Sequence, residues 1–198
     1  MERSGNGRLR LAGVDEAGRG CLAGPVMAGA VVLPADWHPR GLDDSKKLSA
    51  ARRDELYYEI LGGALAWGAF AVWPRDIERT DILKASLLAM AGAVRLLGPA
   101  PDLVLVDGNQ RPPLAQPCET VVGGDGRSAA VAAASIVAKV LRDRIMIDLD
   151  GRFPGYGLAA HKGYGSPAHL EALEARGPTL VHRQTFRPVA NLRQSRLW

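Results

Sequence analysis

Residues 13–20 read Gly-Val-Asp-Glu-Ala-Gly-Arg-Gly, and the remaining motifs of the chain are best understood from this stretch. A short apolar run that includes Leu11 and Val14 leads into it and predicts a strand. Two adjacent carboxylates, Asp15 and Glu16, stand at the end of that strand and are followed by glycines, which let a backbone come close. The pattern fits either a site where a hard cation meets a phosphate or an acidic turn after an edge strand.

Composition favours one globular domain, or one domain with a small appendage. The chain has 198 residues, of which 47% are hydrophobic, and a formal net charge of +4 that favours polyanionic partners. Cys21 and Cys118 lie far apart and fit neither a zinc site nor a disulfide framework. No apolar run approaches the length that spans a membrane. We therefore expect a cytoplasmic protein, and a monomer is the default expectation.

Alternating strand and helix patterns predict an α/β layer fold with a mixed sheet. The predicted strands are residues 9–16, 24–33, 64–73, 102–108 and 117–122, and the predicted helices are residues 50–61, 82–97, 128–149 and 166–176. Residues 102–108 form a continuous apolar run between turn signals, so we expect that strand to be central and buried on both faces. The tail from Asn191 is expected to be loosely held.

Two more acids fall at the ends of predicted elements. Asp107 ends a strand, where ligand sites of open α/β sheets lie, and Asp125 stands just before the longest helix. Asp125 alone is equally explained by the favourable effect of a carboxylate at a helix N-terminus. If these acids converge with Asp15 and Glu16, their repulsion requires a cation. Oxygen-only ligands select Mg²⁺ or Mn²⁺, and a pair of such ions is the arrangement used for attack of water on a phosphodiester.

One geometric condition limits this interpretation. Adjacent residues of a regular strand point to opposite faces of the sheet, so Asp15 and Glu16 bind one metal centre only if the strand ends or bulges there. Ala17 and Gly18 make such an ending possible.

Six motifs occur in a fixed order along the chain and together closely resemble bacterial ribonuclease HII over about residues 11–189. They are Gly-Val-Asp-Glu-Ala-Gly-Arg-Gly, Asp-Ser-Lys-Lys-Leu-Ser, Val-Asp-Gly-Asn, Gly-Asp, Ala-Ala-Ser-Ile-Val-Ala-Lys-Val-Leu-Arg-Asp and His-Lys-Gly-Tyr. The resemblance implies the ribonuclease H-like fold, a five-stranded mixed sheet flanked by helices with a small helical C-terminal part. We accordingly expect a catalytic domain at residues 9–150, a helical part at 151–190 that contributes to substrate recognition, and a tail at 191–198.

The same resemblance implies a metal-dependent endonuclease that cuts RNA in RNA–DNA hybrids and single ribonucleotides embedded in duplex DNA. Products would carry 5′-phosphate and 3′-hydroxyl ends, and the cofactor would be Mn²⁺ or Mg²⁺. Position by position, the implied metal ligands are Asp15, Glu16 and Asp107, with Asp125 as the fourth active-site acid. The family usually has lysine where this chain has Gly123, which removes a positive charge near that fourth acid.

Substrate contacts are implied in the same way. The loop Gly18-Arg19-Gly20 matches the segment that recognises the ribose 2′-hydroxyl, and Tyr164 matches the tyrosine that stacks on the sugar at the RNA–DNA junction. Four polar residues are candidates for phosphate contacts that position a duplex without specifying its sequence: Lys46, Lys47, Ser135 and Lys139.

Other functions and other roles fit the sequence less well. A two-metal nuclease acting on DNA alone gives no reason for Gly18-Arg19-Gly20 with Tyr164, and a nucleotide-binding module has no use for four converging acids. An inactive basic RNA-binding protein would bind tightly but have no turnover for Asp15→Asn to remove. Asp143 is expected to form a salt bridge, with a neighbouring arginine as its partner. His161 and His182 fit a scaffold or nucleic-acid-facing role better than a proton-transfer role.

Overall fold

The computed structural model describes residues 9–42 and 48–195, in which helices flank both faces of a five-stranded sheet. The strands are β1 (Leu11–Ala17), β2 (Val26–Val32), β3 (Ala66–Val72), β4 (Leu103–Asp107) and β5 (Cys118–Val121). The helices are α1 (Ala50–Gly63), α2 (Pro74–Arg79), α3 (Ile82–Arg95), α4 (Ala129–Arg152), α5 (Leu158–His161), α6 (Pro167–Arg176) and α7 (Arg187–Ser195). The predicted mixed α/β layer architecture is thus present.

The sheet runs in the order β3-β2-β1-β4-β5 and mixes both kinds of strand pairing. β1 is antiparallel to β2 and parallel to β4, and β5 continues the parallel half. The prediction that β4 is central and buried on both faces is wrong. Only alternate residues of β4 are fully buried, and β1 takes the middle position. α4 lies mainly over β1 and β2, so one face of β4 is only partly covered.

Helix α4 approaches the sheet closely because glycine and alanine line the contact. A Cβ atom on Gly13 would lie 2.1 Å from the carbonyl carbon of Ala130, and one on Gly29 would lie 2.4 Å from the oxygen of Ala134. The opposite face of β1 packs on α3, where Val14 belongs to one apolar cluster with Ala85, Ala89 and Met90 among others. Successive residues of β1 therefore face α4 and α3 alternately.

The C-terminal helices form their own apolar cluster against the second half of α4. Its buried members include Met146, Leu149, Leu158, Leu173 and Val189. This packing places the segment between α5 and α6, residues 162–166, beside the loop between β1 and β2, residues 18–25. The main-chain hydrogen bond from Leu22 N to Gly163 O, 2.8 Å long, joins the two.

Three helices, α2, α5 and α7, are additional to those that the sequence predicts. Pro74, which predicts the end of a strand, also occupies the first turn of α2, where its missing N–H costs no hydrogen bond. α7 continues to Ser195 where a loose tail from Asn191 is predicted, since Val189 anchors the helix in the C-terminal cluster. In the part of the chain that the structure describes, no helix is both long and apolar enough to cross a membrane.

The contact between α4 and β1 predicts a large cost for a single added methyl group. Gly13→Ala should lower the free energy of unfolding by about 1–3 kcal/mol, because backbone atoms of α4 must move away. Gly62→Ala in α1 is the matched control: nothing lies within 4 Å of its Cβ position, so stability should be unchanged or rise by about 0.5–1 kcal/mol. Urea unfolding measures both, and equal stability of the two variants would contradict the packing described.

Candidate active site

Asp15 and Asp107 come together where the parallel pairing of β1 and β4 ends. The last paired residues are Val14 and Val106, so the two acids follow side by side at the carboxyl ends of neighbouring strands. Burial raises the pKa of Asp15 to about 8, and the negative charges of Glu16 and Asp107 add to this effect. Three of the predicted acids therefore interact electrostatically at this edge of the sheet.

Asp15 points toward α4 and is held there by hydrogen bonds. The main-chain N–H of Glu16 donates to Asp15 Oδ1 at 2.7 Å, and Ser135 of α4 forms a side-chain hydrogen bond with the same carboxyl group. Both contacts lower the pKa of Asp15 and partly offset the effect of burial. Ser135, a predicted phosphate contact, is itself buried, so in this structure it supports Asp15.

Glu16 emerges on the opposite side of β1. The strand stays regular through Ala17, which pairs with Met27, so the ending or bulge considered for this position does not occur before Glu16. Glu16 lines a cleft of about 110 Å³ together with Arg19, Asp107 and residues of α3. Arg19 Nη1 lies 3.8 Å from Glu16 Oε1.

The acids are neighbours, but they are not arranged as a ready metal cage. Within residues 9–42 and 48–195, no three His, Cys, Asp or Glu side chains are grouped so that they could hold a metal ion. The regular strand explains this, because Asp15 faces α4 while Glu16 faces α3. In the cleft that Glu16 lines, Ser86 Oγ is buried and has no hydrogen-bond partner among the described residues.

Asp107 is tied to the segment that carries the fourth acid. Gly124 N–H donates to Asp107 Oδ1 at 2.7 Å. Gly124 is also the first residue of a short 3₁₀ turn, Gly124–Gly126. Asp125 lies in that turn and accepts a hydrogen bond from Gly126 N–H at 3.0 Å. Gly123 has φ +66°, a left-handed conformation in which a residue with a side chain, such as lysine, would be strained.

The loop Gly18-Arg19-Gly20 is held from beneath by two fully buried arginines. Arg183 donates to the carbonyl oxygens of Gly18 at 2.7 Å and of Arg19 at 2.8 Å. The side chain of Arg142 fills the space where a Cβ atom on Gly18 would stand, and Gly18 has φ +89°. A side chain at this position is therefore excluded by both space and backbone conformation.

The sequence did not reveal the roles of Arg142 and Arg183. Both donate to main-chain carbonyl oxygens far away in the sequence, such as that of Pro25 for Arg142. Helical spacing puts Arg142 on one stripe with Ser135 and Lys139, which is equally compatible with a surface contact. Only the packing of α4 on the loop distinguishes a buried scaffold arginine from an exposed one.

Tyr164 stands close to this loop and is 46% exposed as a residue. It forms a side-chain hydrogen bond with Cys21, which is buried directly after the loop, and the ammonium group of Lys139 lies 6.0 Å from the ring centroid. Lys139 pairs with Asp143 at 2.8 Å. Asp143 therefore forms the predicted salt bridge, but its partner is this lysine and not an arginine. Lys46 and Lys47 lie outside the described residues.

Comparison with known proteins gives a consistent result over nearly the whole chain. A family model described as Ribonuclease HII matches residues 12–189. Ribonuclease HII of Nitratidesulfovibrio vulgaris is 51% identical over 190 residues, which cover 90% of this chain and 86% of that protein. Ribonuclease HII of Nitrobacter hamburgensis is 55% identical over 93% of this chain and 68% of its own length. The crystal structure of ribonuclease H2 from Pyrococcus horikoshii OT3 shares 25% identity at a TM-score of 0.83 and covers 94% of this chain and 98% of that one. This similarity confirms the predicted ribonuclease H-like fold.

The environment of Asp15 predicts how its charge affects stability. In the folded protein its pKa is raised from 3.8 to about 8, so between these values the unfolded state gives up the proton more readily and stability falls as pH rises. In the presence of chelator, Asp15→Asn should therefore raise the free energy of unfolding at pH 8 by at least about 1 kcal/mol, or about 2–4 °C in Tm. The gain should shrink toward pH 5.

Thermal unfolding at several pH values measures this difference. Asp148→Asn is the matched control, since Asp148 is exposed on α4 and forms an ion pair with the exposed Arg152. Its Tm should change little at any of these pH values. A lower Tm for Asp15→Asn at pH 8 would show that Asp15 is not destabilised by its surroundings.

Proposed function

The chain belongs to the ribonuclease HII family of nucleases, which cleave RNA in RNA–DNA hybrids, and we propose that it also cuts at single ribonucleotides embedded in duplex DNA. The proposed products carry 5′-phosphate and 3′-hydroxyl ends. The observation that carries this proposal is the cluster of Asp15, Glu16 and Asp107 beside an open glycine loop and a half-exposed tyrosine. Acids of this kind serve phosphodiester hydrolysis, and the loop with Tyr164 offers a means to select RNA.

The residues of the cluster fit divalent cations with oxygen ligands. Burial, and then two neighbouring carboxylates, raise the pKa of Asp15, and a cation that neutralises these charges stabilises the ionised carboxyl group. We propose that Mg²⁺ or Mn²⁺ is held by Asp15, Glu16, Asp107 and Asp125, after the Glu16 side chain turns around the strand end. When bound, a pair of such ions supplies an activated water and charge that stabilises the leaving 3′-oxygen.

The chain's own groups keep these ligands in place. Ser135 orients Asp15 from α4, and the N–H of Gly124 fixes one oxygen of Asp107. These contacts leave the remaining carboxylate oxygens for cation binding.

Recognition of ribose is proposed to use the main chain of the Gly18–Gly20 loop. Arg183 draws the carbonyl groups of Gly18 and Arg19 inward. In a trans peptide the N–H points opposite to the C=O, so the N–H groups of Arg19 and Gly20 face the other way, outward from Arg183. Nothing lies within 4 Å of the Cβ position of Gly20, so a sugar with a 2′-hydroxyl can approach closely.

Tyr164 and the basic residues are proposed to hold the duplex. The exposed part of the Tyr164 ring would stack on the sugar at the RNA–DNA junction, with Lys139 beside it for a phosphate. Lys46 and Lys47 are proposed as further phosphate contacts, which position a duplex whatever its sequence. We propose that the protein acts as a monomer in the cytoplasm, where such duplexes occur.

A labelled duplex with one ribonucleotide tests the proposal against its rivals. Incubation with Mg²⁺ or Mn²⁺ should give a nick on the 5′ side of the ribonucleotide, which chelator abolishes. An all-DNA duplex of the same sequence should stay intact. Cutting of both duplexes would instead favour a general DNA nuclease. Binding without cutting of this duplex or of an RNA–DNA hybrid would favour a nucleic-acid-binding protein without catalytic activity.

Asp107→Asn should nearly abolish hydrolysis, by about 10³-fold or more in kcat, while binding of an RNA–DNA hybrid stays mostly intact. The amide keeps the size of the side chain but removes the negative charge that a cation requires. Cleavage is followed by single-turnover kinetics, and binding by fluorescence anisotropy in Ca²⁺ or chelator. Asp148→Asn, on the exposed face of α4, is the control and should cut as the unmodified protein does. Full activity of Asp107→Asn would exclude the proposed metal centre.

Tyr164→Ala should reduce cutting at a single embedded ribonucleotide by about tenfold or more, since one aromatic stacking contact contributes about 1–3 kcal/mol. Tyr164→Phe keeps the ring and should retain most of the activity. The ratio of kcat/KM between the two variants on the same duplex is the decisive quantity. Metal binding, followed by stabilisation in Mn²⁺, should be the same in both. Equal cutting by Tyr164→Ala and the unmodified protein would remove Tyr164 from the recognition of the junction.

A further inference from the structure

We propose that two buried histidines, His169 and His182, are positioning residues that hold the main chain of Tyr164 where its ring meets the substrate. This inference rests on the proposed role of Tyr164 in recognising the junction. Three consecutive hydrogen bonds carry it, and we call them the histidine chain: Thr179 to His182, His182 to His169, and His169 to Tyr164.

The histidine chain is short, continuous and fully enclosed. Thr179 N lies 3.0 Å from His182 Nδ1, His182 Nε2 lies 3.2 Å from His169 Nε2, and His169 Nδ1 lies 2.8 Å from the carbonyl oxygen of Tyr164. Neither histidine has any exposed surface. Burial lowers the pKa of both imidazoles, in the case of His182 to about 4, so both are neutral at physiological pH.

The direction of each hydrogen bond follows from its end groups. A main-chain N–H can only donate, so His182 Nδ1 accepts from Thr179 and the proton of a neutral His182 is on Nε2. A carbonyl oxygen can only accept, so His169 donates from Nδ1 to Tyr164 and leaves its own Nε2 as an acceptor. His182 Nε2–H then donates to His169 Nε2. Thr179 Oγ1 also lies 2.9 Å from His182 Nδ1, and a hydroxyl can donate to that unprotonated nitrogen. One combination of tautomers therefore satisfies all of these contacts: the proton of His169 on Nδ1 and that of His182 on Nε2.

A third histidine, His161, contacts both the His169 ring and the main-chain N–H of Tyr164. His161 stacks on His169 with ring centroids 4.3 Å apart and an interplanar angle of 16°. Its Nδ1 accepts from Gly163 N–H at 3.2 Å, and its main-chain carbonyl accepts from Tyr164 N–H at 3.0 Å. Both main-chain polar groups of Tyr164 are thus bonded to histidine residues of the C-terminal helical part.

The same segment is tied to the loop that is proposed to recognise ribose. Leu22 N–H donates to Gly163 O, and Arg183 N–H donates to Leu22 O, each at 2.8 Å. His182 itself forms an antiparallel bridge with Ala23. The histidine chain therefore fixes Tyr164 relative to the Gly18–Gly20 loop, and both must contact one nucleotide for the junction to be recognised. An apolar core would fill this space equally well, but it would not fix the distance between the two segments as directional hydrogen bonds do.

Two substitutions at position 169 separate positioning from simple packing. The side-chain amide nitrogen of asparagine occupies the place of Nδ1 in histidine, so His169→Asn keeps the donor to Tyr164 O, whereas His169→Leu fills the space without a donor. On the single-ribonucleotide duplex, His169→Leu should lower kcat/KM by about ten- to hundredfold, because small misplacements of a contact group are costly. His169→Asn should recover part of this loss, because it restores the donor to Tyr164 O but not the acceptor for His182 Nε2–H.

Each substitution is also made in the Tyr164→Ala background, with Tm measured for all variants. If His169 acts through Tyr164, His169→Leu should cause little further loss in that background. Additive losses, or equal losses for His169→Leu and His169→Asn, would overturn the proposal. If Tyr164→Ala alone cuts normally, the role of Tyr164 in the proposed function fails, and with it this inference. If Tyr164→Ala is impaired while His169→Leu cuts normally, only this inference fails.

A spectroscopic measurement on the unmodified protein is independent of folding defects in the variants. Long-range ¹H–¹⁵N spectra of histidine-labelled protein distinguish protonated from unprotonated ring nitrogens. At pH 7 we expect the proton of His169 on Nδ1 and that of His182 on Nε2. The opposite tautomer at His169, or a positively charged ring at either position, would show that the histidine chain does not exist in solution.

Discussion

The close approach of α4 to the two central strands is the constraint on which the remaining structure depends. It is possible only because Gly13 and Gly29 present no side chain to the helix, so that backbone atoms meet at van der Waals distance. The same approach brings Ser135 within hydrogen-bonding distance of Asp15 and removes that carboxylate from water. A looser contact would leave Asp15 exposed, with an ordinary pKa and with less need of a cation. The packing of α4 on the sheet therefore determines both the burial and the pKa of Asp15.

Two buried arginines near the site hold the main chain of the loop that follows β1. Arg142 and Arg183 are both fully buried, and within residues 9–42 and 48–195 each guanidinium group donates three hydrogen bonds to main-chain carbonyl oxygens. Burial of two guanidinium groups lowers the pKa of Arg183 to about 10 and is tolerated because several carbonyl groups accept from each fork. In return, the carbonyl groups of Gly18 and Arg19 are held in fixed directions by Arg183, which defines the main-chain conformation of the loop. Residues distant in sequence from the loop therefore decide its shape.

The mixed topology explains why the acids converge although they lie far apart along the chain. β1 pairs in parallel with β4, so Asp15 and Asp107 share one edge of the sheet, and the turn after β5 returns Gly124 to Asp107. The antiparallel pairing of β1 with β2 continues to Ala17 and keeps Glu16 on the opposite face from Asp15. Strand pairing therefore explains why Asp15, Glu16 and Asp107 are close enough to repel one another. It also explains why these three acids are not grouped so that they could hold a metal ion in this conformation.

The sequence by itself determined the family, the enzyme class and the identity of the candidate acids, because six ordered motifs and strand-end carboxylates are visible without coordinates. Apolar periodicity likewise located the five strands and the longer helices to within a few residues, since it reports local burial. Only the tertiary structure decided that β1 is central, that Ser135 forms a hydrogen bond with Asp15, and that Lys139 pairs with Asp143. It also decided that four polar side chains are buried: Arg142, His169, His182 and Arg183. These features arise from contacts between segments distant in sequence, and a polar side chain carries no local signal that tells whether a later segment of the chain will bury it.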